Sequence, residues 1–266
     1  MLNTDPNRFD AEGYCVFRNV LTAPQVAGTQ ALFEQTLAEG AAMNLDRASY
    51  YGEPHAESTA WLDLCRHPRV LDAVQAVLGP NLILIFSSLF IKPPYDGKPV
   101  PWHQDITYWP SVHGSGIVTV WLAIDRADAD NAAMKVIPST HQGYQARATS
   151  AAAADAMLSK EVTMTAEMEA DALTLELNAG DVSIHDAYIL HASAPNVSPR
   201  RRAGYTIRFA SADTAWIETE KHPIPVFLVR GTAGKYEASY TDMRPGRPAV
   251  VSRPPGSAEK QRQGQM

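Results

Sequence analysis

Cysteine is scarce in this chain: only Cys15 and Cys65 occur, far apart and in no Cys-x-x-Cys pair. A thiolate zinc site is excluded by count, and the chain is no disulfide scaffold. Positive charge is short too. Lys and Arg number 23 against 29 Asp and Glu, a formal net charge of −6. The one basic run, Arg200-Arg201-Arg202, is too short for the footprint of a nucleic-acid binder. Long apolar runs are missing. The longest, Leu82 to Ile91, is interrupted by Ser87 and Ser88 and falls short of a bilayer span, so no membrane association is expected. The N-terminus, Met-Leu-Asn-Thr-Asp-Pro, has no charged segment followed by an apolar one. No secretion signal is read there, the sequon Asn196-Val197-Ser198 carries little weight, and the expected location is cytoplasmic. No internal repeat occurs. What remains, 45% hydrophobic and 20% charged residues, suits a globular protein that buries its core without staples.

Hydrophobic spacing divides the chain. Thr22 is a candidate N-cap, with Pro24 behind it and Val26, Phe33 and Leu37 at helical spacing. A second helix is expected from His67 to Leu78, with Val70, Leu71, Val74, Val77 and Leu78 on one face and Gly79-Pro80 as its stop. Ala48 to His55 reads as a loop between them. From Asn81 onward the pattern changes to short β-rich runs: Leu82 to Phe86, Leu89 to Ile91, Ile117 to Ile124, Met134 to Ile137, Leu173 to Leu177, Val182 to Ile184 and Tyr205 to Phe209. No helix alternates with these strands, so parallel βαβ units are not expected. Helices first and antiparallel strands afterwards predict a mainly β fold with flanking helices, a jelly roll. Residues 1–243 read as a single domain, helical to about 80 with a core over about 81–215. Gln142 to Asp171 reads as a short helix or a mobile lid. Residues 244–266, rich in Pro, Gly, Ser and Arg, read as a flexible tail.

The strongest local signal is Trp102-His103-Gln104-Asp105. In a strand, residues i and i+2 share a face, so His103 and Asp105 project together. One imidazole and one carboxylate, completed by a histidine from another strand, form the 2-His-1-carboxylate set that leaves three positions open on Fe(II). The second histidine is either His191 or His185. Only His191 stands in the cluster His191-Ala192-Ser193-Ala194-Pro195-Asn196-Val197-Ser198, eleven residues before Arg202. A buried arginine suits a dicarboxylate, because its planar fork binds a carboxylate bidentately. Arg200, Arg201 and Arg208 are its rivals, with Arg208 on the same strand face as Arg202 and Arg201 on the other. Trp121, inside an apolar strand, is a candidate pocket wall.

Taken together these residues resemble the phytanoyl-CoA dioxygenase family. The resemblance runs from about Phe9 to about Glu218. It is carried by Ile91-Lys92-Pro93-Pro94, His103-Gln104-Asp105, Val120-Trp121-Leu122-Ala123-Ile124, Asn131 to His141, Gly180-Asp181, the His191 to Ser198 segment, Arg202, and Phe209 to Asp213. It implies a double-stranded β-helix, cupin-like in form. It implies an Fe(II) centre on His103, Asp105 and His191, with 2-oxoglutarate and O₂ as co-substrates. Arg202 would hold the distal carboxylate of 2-oxoglutarate with help from Ser193, Gln104 and Trp121 would line its pocket, and Lys92 would lie near it. The family usually has glycine where this chain has Ala132 and Ser139, which puts the local backbone shape in doubt. Related halogenases replace the metal-binding carboxylate by a small residue; Asp105 favours hydroxylation over halogenation.

The substrate is expected to be a small molecule, with Tyr108, Trp109, Ser88 and Tyr51 as candidate contacts. Desaturation, ring formation and halogenation on the same scaffold are alternative outcomes. A hydrolase or isomerase using another metal, or a barrel that only binds a ligand, are the alternatives of another class. Arg202 argues against the hydrolase and isomerase, since neither needs a dicarboxylate clamp.

Overall fold

The computed structural model describes residues 2–254, 256 and 257. Six α-helices are formed among them: α1 (Phe9–Glu12), α2 (Ala23–Ala42), α3 (Pro54–Glu57), α4 (Thr59–Cys65), α5 (Pro68–Leu78) and α6 (Ala166–Ala170). The strands are β1 (Tyr14–Phe17), β2 (Tyr50–Gly52), β3 (Leu82–Lys92), β4 (Val100–His103), β5 (Val112–Gly114), β6 (Ile117–Ala123), β7 (Lys135–Ile137), β8 (Ser150–Ala151), β9 (Lys160–Glu161), β10 (Leu173–Thr174), β11 (Val182–Asp186), β12 (Leu190–Ser193), β13 (Arg202–Ser211), β14 (Ala215–Ile217), β15 (Phe227–Arg230) and β16 (Thr241–Asp242).

Two sheets make the jelly roll. The larger runs β1-β11-β6-β13-β3-β15-β16, with β2 also on β3, and the smaller runs β10-β7-β12-β4. Every pairing in them is antiparallel except β15 with β16. Period-two alternation gives the larger sheet two faces. On β13, Ala203, Tyr205, Ile207 and Phe209 join Phe33, Trp61, Leu71 and Val74 of the helices in the main core. Arg202, Thr206 and Arg208 point the other way, into a cavity between the sheets. The helices therefore cover one face and leave the other free to build a site.

Both expected helices form. The Thr22 N–H donates to Gln25 Oε1 at 2.9 Å at the start of α2, and α5 buries Val70, Leu71 and Val74. Three expectations are corrected. Ala48 to His55 is not all loop, because Tyr50–Gly52 pairs with Phe90 to Ser88. β3 runs unbroken through Ser87 and Ser88: the Ser87 hydroxyl accepts from Tyr205 Oη at 2.9 Å, and Ser88 meets Arg208 Nη1 at 3.1 Å. Satisfied hydroxyls leave the strand no reason to stop. The sheet also reaches beyond 81–215 at both ends, through β1 and β15.

The tail expected to be flexible is docked as far as it is described. Ser252 and Arg253 donate backbone N–H groups to Ala56 O at 2.9 Å, Arg253 Nη1 pairs with Glu53 at 2.5 Å, and Gly256 N–H donates to Glu57 at 2.6 Å. Glu53 and Glu57 are buried carboxylates, and such groups need donors; the tail supplies them. Residues 258–266 lie outside the described residues.

Candidate metal centre and cosubstrate pocket

β4 and β12 lie side by side with His191 directly opposite His103, which sets their rings 4.0 Å apart. β4 ends at His103, Gln104 stays extended, and Asp105 opens a 3₁₀ turn. The carboxylate is thereby brought beside both rings. Asp105 Oδ1 is 3.7 Å from His103 Nε2 and 3.8 Å from His191 Nε2. All three residues are buried and their ligand atoms lie within 4.8 Å of one another. Each imidazole Nδ1 faces the carbonyl two residues earlier: His103 meets Pro101 O at 2.8 Å and His191 meets Ile189 O at 3.1 Å. That contact fixes the tautomer and leaves Nε2 as the free donor for a metal. Thr119 Oγ1 donates to Asp105 Oδ2 at 2.5 Å.

Burial opposes charge on Asp105, but the adjacent imidazoles of His103 and His185, with His191 and Arg208 nearby, outweigh it and hold the carboxyl well below its usual range. Burial, then His103 and His185, pushes His191 well below the usual imidazole value. A neutral imidazole and an ionised carboxylate are the protonation states that ligate a metal.

His185 stands apart from the ligand set. Its Nε2 lies 3.5 Å from Asp105 Oδ2, the carboxylate oxygen other than the one nearest His103 and His191, and neither ring nitrogen has a hydrogen-bond partner among the described residues. It packs 4.5 Å from the His191 ring and braces the carboxylate.

The same cavity holds Ser193, Trp121, Met134, Phe90 and Arg202. Two of the three rival arginines are consumed elsewhere, while Arg208 lines this same cavity. Arg200 pairs bidentately with Asp128 at 2.8 and 2.9 Å, and Arg201 pairs with Asp125 and Glu34. Arg202 is buried, donates only Nη1 to Ala132 O at 3.0 Å, and leaves Nε unpartnered. Burial pushes its guanidinium down to about 10. Ser193 Oγ is also buried without a partner. Unsatisfied buried donors beside three convergent ligands fit a polar, anionic guest. Trp121 can lie there because Gly204 gives it room: a Cβ on Gly204 would sit 2.1 Å from the indole. The Arg202 guanidinium carbon is 5.4 Å from that ring's centre.

Several expected contacts fall elsewhere. Gln104 does not line the cavity. Alternation turns it away, and its side chain donates to Tyr188 O at 2.5 Å and accepts from Arg147 N at 2.7 Å. It anchors the segment read as a lid. That segment forms the β8/β9 hairpin and α6, tied to the metal strand by Val162 N–H to Trp102 O at 2.7 Å. Lys92 stays out of the cavity as well; Nζ donates to Lys98 O at 2.8 Å and Ala194 O at 2.5 Å, stapling β3 to the chain after β12. Tyr51 is turned away from the site and bonds Glu57 at 2.7 Å, while its neighbour Tyr50 faces the groove. Tyr108, Trp109 and Ser88 line that adjoining groove rather than the metal cavity. Sequence reasoning missed Thr119 and Ala132 as neighbours of the site; His185, the rival ligand candidate, lies beside it. Thr119 was reachable, two residues before Trp121 on the same strand face; Ala132 acts through its carbonyl, which no side-chain pattern reveals.

A jelly roll with two histidines and one aspartate converging between its sheets has the architecture of a mononuclear non-haem iron oxygenase. The sequence pattern of phytanoyl-CoA dioxygenases matches residues 9–204, and the chain belongs to that family. It is 32% identical over 165 residues to a probable alpha-ketoglutarate-dependent hypophosphite dioxygenase of Stutzerimonas stutzeri, covering 61% of this chain and 57% of that one. It is 28% identical over 160 residues to the peroxisomal phytanoyl-CoA dioxygenase of Bos taurus, covering 59% of this chain and 48% of that one. The chain thus spans about half the length of these curated relatives. A solved non-haem monooxygenase, ThoJ in its apo form, matches with a TM-score of 0.75 and 25% identity over 98% of this chain and 93% of that one. No helix among the described residues is long and apolar enough to cross a membrane.

Proposed function

We propose that this protein is an Fe(II)- and 2-oxoglutarate-dependent dioxygenase that hydroxylates an unactivated C–H bond of a small molecule. The observation that carries the reading is one cavity lined by His103, Asp105 and His191 together with Arg202, a buried cation with no carboxylate partner among the described residues. A hydrolytic metal site would need the first three and have no use for the fourth.

His103 Nε2, Asp105 and His191 Nε2 would hold the iron. Arg202, with Ser193 Oγ beside it, takes the distal carboxylate of 2-oxoglutarate, and Trp121 walls that pocket. When bound, iron and 2-oxoglutarate would supply, with O₂, the oxidising power for hydroxylation, with succinate and CO₂ as the co-products. The protein's own contribution is geometry and exclusion of water. Thr119 and His185 orient Asp105. Gln104 ties the segment after β7 to the metal strand through Gln145 O and Arg147 N, which would limit access of water to the metal.

The test is Fe(II)-dependent consumption of 2-oxoglutarate, read as succinate formed. Wild type is expected to release succinate even without its substrate, and Asp105→Ala to release none. Equal release by both proteins would refute the metal assignment.

A further inference from the structure

Arg208 is a second buried guanidinium without a carboxylate partner. Nη1 is held by Ser88 Oγ at 3.1 Å and Thr206 Oγ1 at 2.6 Å, while Nε is buried and unpartnered. No ion pair forms on it among the described residues. It is also the residue common to two spaces. It lines the metal cavity and, on its other side, a groove of about 480 Å³ walled by Phe86, Trp109, Tyr108, Tyr50 and Pro223. The other charges of that groove are matched: Glu53 by Arg253 and Lys221 by Glu218. Arg208 is the one left over.

Charge balance inside the site makes the same point. Fe(II) and Arg202 together offset Asp105 and dianionic 2-oxoglutarate, so Arg208 remains as an excess positive charge. A buried cation is costly unless paired. We infer that Arg208 is the substrate's anchor, and that the substrate is a carboxylate or similar monoanion with an apolar or aromatic body. The anion would sit on the open edge of the guanidinium. The body would lie against Phe86, Trp109 and Tyr108, with a carbon reaching past Arg208 toward the iron. Phe90 and Trp109 flank the guanidinium at 5.8 and 5.9 Å and hold its plane.

This inference rests on the cosubstrate reading above, so the experiment separates the two. Binding is measured by calorimetry on the full-length Mn(II)-loaded protein, with and without 2-oxoglutarate. The probes are 3-phenylpropanoate against 3-phenylpropanamide and hexanoate against hexanamide, pairs that differ in charge and little in shape. At least one acid is expected to bind about tenfold or more tightly than its amide, as a charge-assisted pair requires. In Arg208→Gln that preference is expected to vanish while 2-oxoglutarate affinity stays within about threefold of wild type. Arg208→Lys, which keeps the charge and loses the fork, should fall between. Equal binding of acid and amide by wild type overturns the inference without any variant, as does no binding of either acid up to about 10 mM. A preference that survives Arg208→Gln also overturns it. Loss of 2-oxoglutarate in Arg208→Gln would make Arg208 the cosubstrate clamp instead. If wild type binds no 2-oxoglutarate, the cosubstrate reading fails, and the acid-to-amide ratio on the Mn(II) protein alone still decides Arg208.

Discussion

Replacing Arg202 by methionine is expected to shift stability in opposite directions with and without 2-oxoglutarate. Methionine keeps the apolar stem and drops the charge. Burial pushes the guanidinium down to about 10, which at about 1.4 kcal/mol per tenfold is roughly 3 kcal/mol of unfavourable charge burial in the ligand-free protein. The bond to Ala132 O is lost in the variant, a cost of about 1 kcal/mol. The ligand-free variant should therefore be more stable by about 2 kcal/mol, or about 4–8 °C in a chain of this size. With 2-oxoglutarate at a hundredfold excess over its Kd, wild type should gain about 2.7 kcal/mol. Breaking a buried charge pair costs about 3–5 kcal/mol, which weakens binding by roughly a hundredfold to several thousandfold and removes that gain. Scanning calorimetry of the Mn(II)-loaded proteins reads both effects. The reasoning is refuted if Arg202→Met is stabilised by 2-oxoglutarate as much as wild type, or if the ligand-free variant melts lower.

Other outcomes follow from the same geometry. His191→Ala should abolish Fe(II) binding, whereas His185→Gln should weaken it by about 10- to 100-fold; equal losses in metal titrations would contradict the split between ligand and brace. Burial pushes the Asp186 carboxyl up to about 7, so the folded protein binds the extra proton between its unfolded value of about 4 and pH 7. Stability should then fall as pH rises through that window, by up to about 4 kcal/mol, and Asp186→Asn should flatten the curve in urea titrations; an unchanged slope would count against it. Ala132 is buried in left-handed backbone at φ 66°. In Ala132→Gly, relief of about 1 kcal/mol of strain is set against about 0.8 kcal/mol for a lost buried methyl. A near-neutral melt is expected, and a large destabilisation would show that the methyl matters more than the strain.

The metal centre was legible because its determinants are local. Period-two spacing puts His103 and Asp105 together and turns Gln104 away, and the alternation even places Arg208 with Arg202. What spacing cannot give is which charges find partners. Arg200 and Arg201 are neutralised by Asp128, Asp125 and Glu34, residues far off in sequence, and only the folded chain leaves Arg202 and Arg208 unmatched. The same limit hid β1 and β15, short runs whose strand character comes from docking on β11 and β3. The tail misled for a related reason. Its composition is that of a flexible segment, but Glu53 and Glu57 are buried and draw it in. The departures at Ala132 and Ser139 left the backbone as glycine would have it, both at φ 66°, so the turns survive with strain in place of glycine.

The most direct measurement is an anaerobic titration of the metal-free protein with Fe(II) and then 2-oxoglutarate, followed in the visible spectrum. Wild type is expected to develop a charge-transfer band when 2-oxoglutarate chelates the iron. The band should be absent in His191→Ala and should need far more 2-oxoglutarate in Arg202→Met. A folded, iron-binding wild type that gives no band would contradict the cosubstrate assignment and leave a different metal-dependent chemistry for this cavity.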